Sequence, residues 1–166
     1  MLFAVNALVY SIESSTPLRV RKEAQARERI SILYARANSA ASRRDVEGLF
    51  RDFDPGARIV TAAGKTTSLA EIKLHTRALF ATARHISASS TITGFSLTGN
   101  VARVVVLERA TIILEARGGS GTSARLENRE IDFDTWVKGR RGWKETQAVV
   151  RTIHQTLDGK PIPVDG

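Results

Sequence analysis

Apolar positions in this chain recur first with a helical period and then with a strand period, and the change falls near Arg84. From Glu23 to Arg43, the residues Ile30, Leu33, Tyr34, Ala37 and Ala41 stand three or four apart among arginines and glutamates, which predicts an amphipathic helix. After "SRRD", Val46, Leu49, Phe50 and Phe53 repeat the pattern over a second, short helix that Pro55 and Gly56 are expected to stop. "ARIVTA" reads as a strand. In "SLAEIKLHTRALFATAR" Ser68 and Glu71 have the spacing of a capping box, in which each side chain satisfies an orphan backbone N–H at the helix start. The stripe Leu69, Ile72, Thr76, Leu79, Phe80 and Ala83 is then the expected buried face of a third helix, with His75 beside it.

Beyond Arg84 the chain turns to β-branched residues and alternation, the pattern of half-buried strands. "ISASSTITGFSL" runs into the turn signal "TGN", and "VARVVVLERATIILEA" follows as a long strand whose middle is apolar on both sides, implying cover on both faces. Gly118, Gly119 and Gly121 form a connector; "GGSG" lacks the Lys-Ser or Lys-Thr of a phosphate-cradling loop. "ARLENREIDFDTWVK", the turn "GRRG" and "WKETQAVVRTIHQ" complete a meander. The order of elements predicts an α+β fold, about three helices gathered on one face of a curved antiparallel sheet. One domain is expected over 23–157, with an N-terminal segment 1–22 and a tail 158–166.

Composition narrows the chemistry. With 166 residues, 42% of them hydrophobic and 25% charged, the chain can bury one sizeable core. It has no cysteine, and its three histidines, His75, His85 and His154, show no metal-ligand spacing, so neither a metal nor a cofactor is expected. A net charge of +8 would attract polyanions. The bases are nevertheless scattered among acids, as in "RVRKEAQARER", with no nucleic-acid-binding motif, and no nucleic-acid partner is expected. The opening "MLFAVNALVYSI" is too short to span a bilayer. It is read either as the remnant of an export signal, which would make the protein periplasmic or secreted, or as a segment of a cytoplasmic protein.

The run of elements, together with "RRDVEGLF", "DPGARIVTAAG", "TITGFSLTGNVARV" and "DFDTWVKGRRGWK", resembles the nuclear transport factor 2 superfamily over Glu23 to Gln155. Within it the chain looks most like the polyketide cyclase (SnoaL-like) and uncharacterised bacterial branch. That resemblance implies a cone with an apolar pocket for a small molecule, and a homodimer through the outer sheet face. It implies either a cofactor-free lyase, isomerase or cyclase, or a noncatalytic ligand- or protein-binding module.

The resemblance also suggests site residues. Against ketosteroid isomerase, Thr61 stands where the base carboxylate belongs, Tyr34 lies about a helical turn from the phenol's place, and Asp134 matches the protonated aspartic acid. Against scytalone dehydratase, His85 takes the place of one histidine, while Arg109 and Thr111 occupy the second histidine's strand and Ser42 the helix aspartate's position. His85, Asp134 and Tyr34 are therefore the expected catalytic residues, and Trp136, Arg109 and Thr61 the expected ligand contacts. Strand alternation puts Asp132, Asp134 and Trp136 on one face and Ile131, Phe133, Thr135 and Val137 on the other. The alternative for Asp134 is a salt bridge to Arg109 or Arg151, and for His85 a structural role.

Overall fold

The computed structural model of the chain describes residues 15–115 and 123–163. Helix α1 (Ser15–Ser42) begins ahead of the expected Glu23. Its first turns contain good helix formers but no apolar stripe: Leu18 and Val20 are exposed, and burial sets in at Ala26 and Ile30. Helical periodicity marks only a buried face, so this part of the helix carries no such mark. Helix α2 (Val46–Leu49) is capped by Asp45, whose carboxylate accepts from the Gly48 N–H at 2.8 Å. It ends earlier than expected, and Pro55 and Gly56 do not stop it but lie within strand β1 (Phe53–Val60). The register of β1 slips between Phe53 and Arg58, a bulge in which a proline without an N–H costs no ladder bond. Strand β2 (Thr66–Ser68) leads into helix α3 (Leu69–Thr82), and the Ser68–Glu71 capping box is present in both directions.

The remaining strands are β3 (Ala83–Thr98), β4 (Val101–Leu114), β5 (Ala124–Gly139), β6 (Gly142–Leu157) and β7 (Lys160–Pro161). Along the sheet the order is β2-β1-β6-β5-β4-β3, and β7 pairs with β6, so part of the expected tail is a strand. Strands β3 to β6 form the predicted antiparallel meander, but β1 runs parallel to β6. The sheet is therefore mixed. The "TGN" signal becomes a tight β3–β4 turn with Gly99 at φ 59°. The sheet is curved and open, and its long strands carry register shifts at 83/85, 92/94, 131/132 and 135/136. Such bulges bend a strand. At the second, a Cβ on Gly94 would lie 3.0 Å from Val105 Cγ2, so a side chain there would have to displace the Val105 side chain.

Two apolar clusters fix the helices to the sheet. Ile30 and Tyr34 of α1 pack on Ala102, Val104, Val106 and Trp136, with Trp143 against them. Ala41, Val46 and Phe80 meet Ala83, Ile86 and Ile112 at the other end. Among the described residues no helix is long and apolar enough to cross a membrane. Residues 1–14 and the glycine connector Gly118–Gly121 lie outside the described residues.

Candidate functional site

Strand β5 builds the site. Its alternation sends Asp132, Asp134 and Trp136 inward, at 7%, 4% and 3% exposure, and leaves Phe133 outward at 44%. Glu130 shares their side by the same period. On β4, Glu108 stands directly opposite Glu130, and on β6 the buried Glu145 pairs with Trp136 in register. Between these strands and the helices lies a cavity of about 350 Å³, walled by Leu33, Phe50, Phe53, Ile59, Ile72 and Val150. Into it point Glu108, Glu130, Asp132, Asp134 and Glu145, with Asp52 also lining it.

At one end, α1 and β5 meet in a short polar relay. The Tyr34 hydroxyl donates to Asp134 Oδ2 at 2.5 Å, and the Trp136 indole N–H donates to the Tyr34 oxygen at 3.1 Å. The two rings meet edge to face, 5.5 Å between centroids, a favourable arrangement that also fixes the phenol's direction. Asp134 Oδ1 is buried without a hydrogen-bond partner among the described residues, as is Asp132 Oδ1. A second relay holds Glu108: Asn38 Nδ2 donates to Ser90 Oγ at 3.2 Å, and Ser90 Oγ donates to Glu108 Oε1 at 3.0 Å. At the rim, Arg36 pairs with Asp52 at 2.8 Å.

Burial and mutual repulsion alter how these acids titrate, because a low-dielectric site disfavours charge and a neighbouring carboxylate disfavours it further. Burial first, then Glu130 and Asp134, pushes Glu108 up to about 8. Burial, then Glu130 and Glu108, pushes Asp132 up to about 9. Asp134 rises less, to about 7, because the hydrogen bond from Tyr34 opposes the effect of burial by stabilising the carboxylate. Glu145 and Glu130 are raised, chiefly by burial. Burial, then the charge on Asp134, holds the Tyr34 hydroxyl far above its ordinary value, so it remains a donor at any physiological pH. Of the three, Asp134 is thus the acid most readily ionised near neutrality, while Glu108 and Asp132 are biased toward their protonated forms.

Of the six residues singled out in the sequence, Tyr34, Asp134 and Trp136 come together in one group. His85 does not join them. Register at the start of β3 passes from Ala83↔Leu114 to His85↔Ile113, so Arg84 is an extra residue, the inward positions become Ala83 and Ile86, and His85 is exposed. Arg109 is also exposed, beside Arg129 in register on the outer side of the sheet, and neither it nor Arg151 forms an ion pair with Asp134. Thr61 lies just past β1, where its N–H donates to Lys65 O at 2.9 Å, and its buried hydroxyl lacks a partner among the described residues. From β1 the cavity wall takes Phe53 and Ile59, and Thr61 is not among its lining residues. Sequence reasoning missed Glu108, Glu130 and Glu145. The period-2 run Glu130, Asp132, Asp134, Trp136 was a readable signal; the contributions of β4 and β6 needed the register.

No family model and no curated protein matches the sequence, but solved structures do. A protein from Kribbella flavida superposes with a TM-score of 0.64 at 20% identity, over 76% of this chain and 89% of its own. A proposed scytalone dehydratase from Novosphingobium aromaticivorans gives 0.65 at 17%, over 85% and 91%. A proposed dehydratase of the nuclear transport factor 2-like family from Streptomyces avermitilis gives 0.62 at 15%, over 86% and 99%. The chain has the nuclear transport factor 2-like fold. That fold carries many unrelated activities, so what this cone does depends on the side chains lining it.

Proposed function

We propose that the cavity binds a small organic molecule and moves a proton on it without a cofactor, in a lyase or isomerase reaction. The observation that carries this reading is the Tyr34–Asp134 hydrogen bond of 2.5 Å in the lining of a cavity, with Asp134 Oδ1 buried and unpartnered among the described residues. A base works best when its pKa lies near the working pH, and Asp134 is raised to about 7. Tyr34 holds Oδ2, which fixes the carboxylate and leaves Oδ1 to take a proton from substrate carbon. Glu108, raised to about 8, keeps its own proton at neutral pH and can protonate a departing hydroxyl or a developing enolate. Two carboxyls in different surroundings, Asp134 held by Tyr34 and Glu108 by Ser90, can divide acid and base work on one substrate. The base role thus passes from His85 to Asp134, and Trp136 acts through Tyr34. The two dehydratase-type neighbours lend the elimination form of the reaction its support.

The test is proton exchange. The protein is incubated in deuterium oxide with a panel of hydroxylated cyclic ketones, aryl ketones and amino ketones, and nuclear magnetic resonance follows deuterium entry beside the carbonyl and loss of the hydroxyl. Exchange should fall about 10²–10⁴-fold in Asp134→Asn, the usual contribution of a positioned base. Exchange unaltered by that substitution, or none with any compound the protein binds, overturns the reading. The second reading, a homodimeric binding module, draws on the outward Phe133 and Ile131, at 44% and 36% exposure on the outer face of β5.

A further inference from the structure

The chain is basic, with a net charge of +8, yet among the described residues none that lines the main cavity is Lys, Arg or His. Six of them are acids, brought from the turn before β1 (Asp52), from β4 (Glu108), from β5 (Glu130, Asp132, Asp134) and from β6 (Glu145). The arrangement is costly. Like charges placed directly opposite on neighbouring strands destabilise a sheet, and Glu108 faces Glu130 in that way. Oxygens of Glu108, Glu130 and Asp132 all lie within 4.8 Å of one another. Among the described residues the cost is not offset by internal bases: of the six acids only Asp52, at the rim, has a basic partner, Arg36.

Two further features point to something that arrives from outside. Asp132 and Asp134 are 7% and 4% exposed, line the cavity, and each leaves Oδ1 without a partner among the described residues. A buried polar atom without a partner costs about 1–3 kcal/mol or more. The opposite wall is apolar and aromatic, with Leu33, Phe50, Phe53 and Ile72. A bare metal ion would use the acids and leave that wall unemployed. An anionic ligand would be repelled by the acids, and a neutral one could accept from a protonated carboxyl but would bring no charge to offset their crowding.

We infer that the cavity selects organic cations, molecules with an ammonium group seated among Glu108, Glu130, Asp132 and Asp134 and an apolar body against Leu33, Phe50 and Phe53. This rests on the reading of the cavity as a small-molecule site and names the class of substrate it takes. Tyr34 and Trp136 also line the cavity beside Asp134. At about 350 Å³ the space lies at the small end of ligand pockets, which run roughly 300–1,000 Å³, suited to one ring and a short aminoalkyl arm. Burial biases Glu108 and Asp132 toward their protonated forms, so seating an ammonium among them should expel protons. The groups facing the bound charge are Tyr34 on α1, Asp52, Glu108, Glu130, Asp132, Asp134 and Glu145.

The test compares 2-phenylethylammonium and benzyltrimethylammonium, whose charge does not depend on pH, with the neutral 2-phenylethanol and the anion phenylacetate, by titration calorimetry on the full chain. The two cations should bind at least about tenfold more tightly than the alcohol. Benzyltrimethylammonium should tighten as pH rises from 6 to 9, by about tenfold per unit for each proton displaced. Proton release should appear as a dependence of the heat on the buffer. Glu108→Gln and Asp132→Asn, checked for folding by circular dichroism, should each weaken the cations at least about tenfold more than they alter the alcohol. Equal binding of cation and alcohol overturns the proposal. So does stabilisation by calcium or manganese with no response to either amine, which would make the cluster a metal site. Cation binding without proton exchange in any ketone retains this inference and sinks the catalytic reading; exchange on neutral ketones with no preference for cations does the reverse.

Discussion

At the scale of single residues, Tyr34 explains how Asp134 can differ from its neighbours. A carboxylate that accepts one strong hydrogen bond is easier to ionise than one that accepts none, so Asp134 reaches only about 7 while Asp132, two residues away, reaches about 9. Replacing Tyr34 by Phe removes that donor and leaves both Asp134 Oδ2 and the Trp136 N–H unpaired. It should cost about 2 kcal/mol of stability, as loss of a buried hydrogen bond to a charged group does, read as a lower urea midpoint with unchanged slope. The same substitution should move the acid limb of any pH–rate profile upward, since Asp134 then ionises later. Asp134→Asn, by contrast, should fold at least as well as the parent at pH 8, because it removes a buried charge, while losing proton exchange. A pH profile identical in parent and Tyr34→Phe would remove the tyrosine from the mechanism.

At the scale of elements, local rules account for most of the chain. The capping box at Ser68 and Glu71 was visible as a spacing and is present as two reciprocal bonds, Glu71 N–H to Ser68 Oγ at 3.2 Å and Ser68 N–H to Glu71 Oε2 at 3.3 Å. Ser68→Ala should lower stability by about 1 kcal/mol, measured by chemical denaturation; a change within experimental error would mean that the helix start is held by its packing alone. Strand β5 was legible too, since alternation alone places Asp132, Asp134 and Trp136 on one face. What local rules missed are the places where one residue is added or skipped. The bulge at Arg84 turned His85 outward, and the slip in β1 absorbed Pro55 and Gly56 where a helix end was expected. A period cannot reveal an inserted residue, because bulges depend on the partner strand.

For the whole molecule, charge is sorted by face. Glu108 and Glu130 pair across β4 and β5 on the cavity side, and the next residues along, Arg109 and Arg129, pair on the outer side, with His154 beside Arg129. The buried acids make stability depend on pH in a definite direction. A carboxyl whose folded pKa is raised keeps its proton in the folded state and loses it in the unfolded chain above about 4. Its contribution is thus fully present below that value and is lost as pH rises through about 7 for Asp134, 8 for Glu108 and 9 for Asp132. The melting temperature should fall between pH 5 and pH 9, and fall less in the double variant Glu108→Gln with Asp132→Asn. Equal slopes would show that these acids do not govern it. On the outer face, Arg151 lies 5.1 Å from the centre of the exposed Phe133 ring. If that face joins two copies, light scattering should give the mass of a dimer for the parent and of a monomer for Phe133→Glu.

Sequence by itself determined the helix and strand order, the resemblance to the cone, the helix cap and the inward face of β5, since each follows from spacing within one segment. It also brought forward Tyr34, Asp134 and Trp136 as separate candidates. Only the tertiary structure joined them into one hydrogen-bonded group, put His85, Arg109 and Thr61 elsewhere, and gathered Glu108, Glu130 and Glu145 from separate strands into the same cavity. The physical reason is register. Which residues of β4, β5 and β6 stand side by side, and which way each points after a bulge, is set by pairing between segments far apart in the chain.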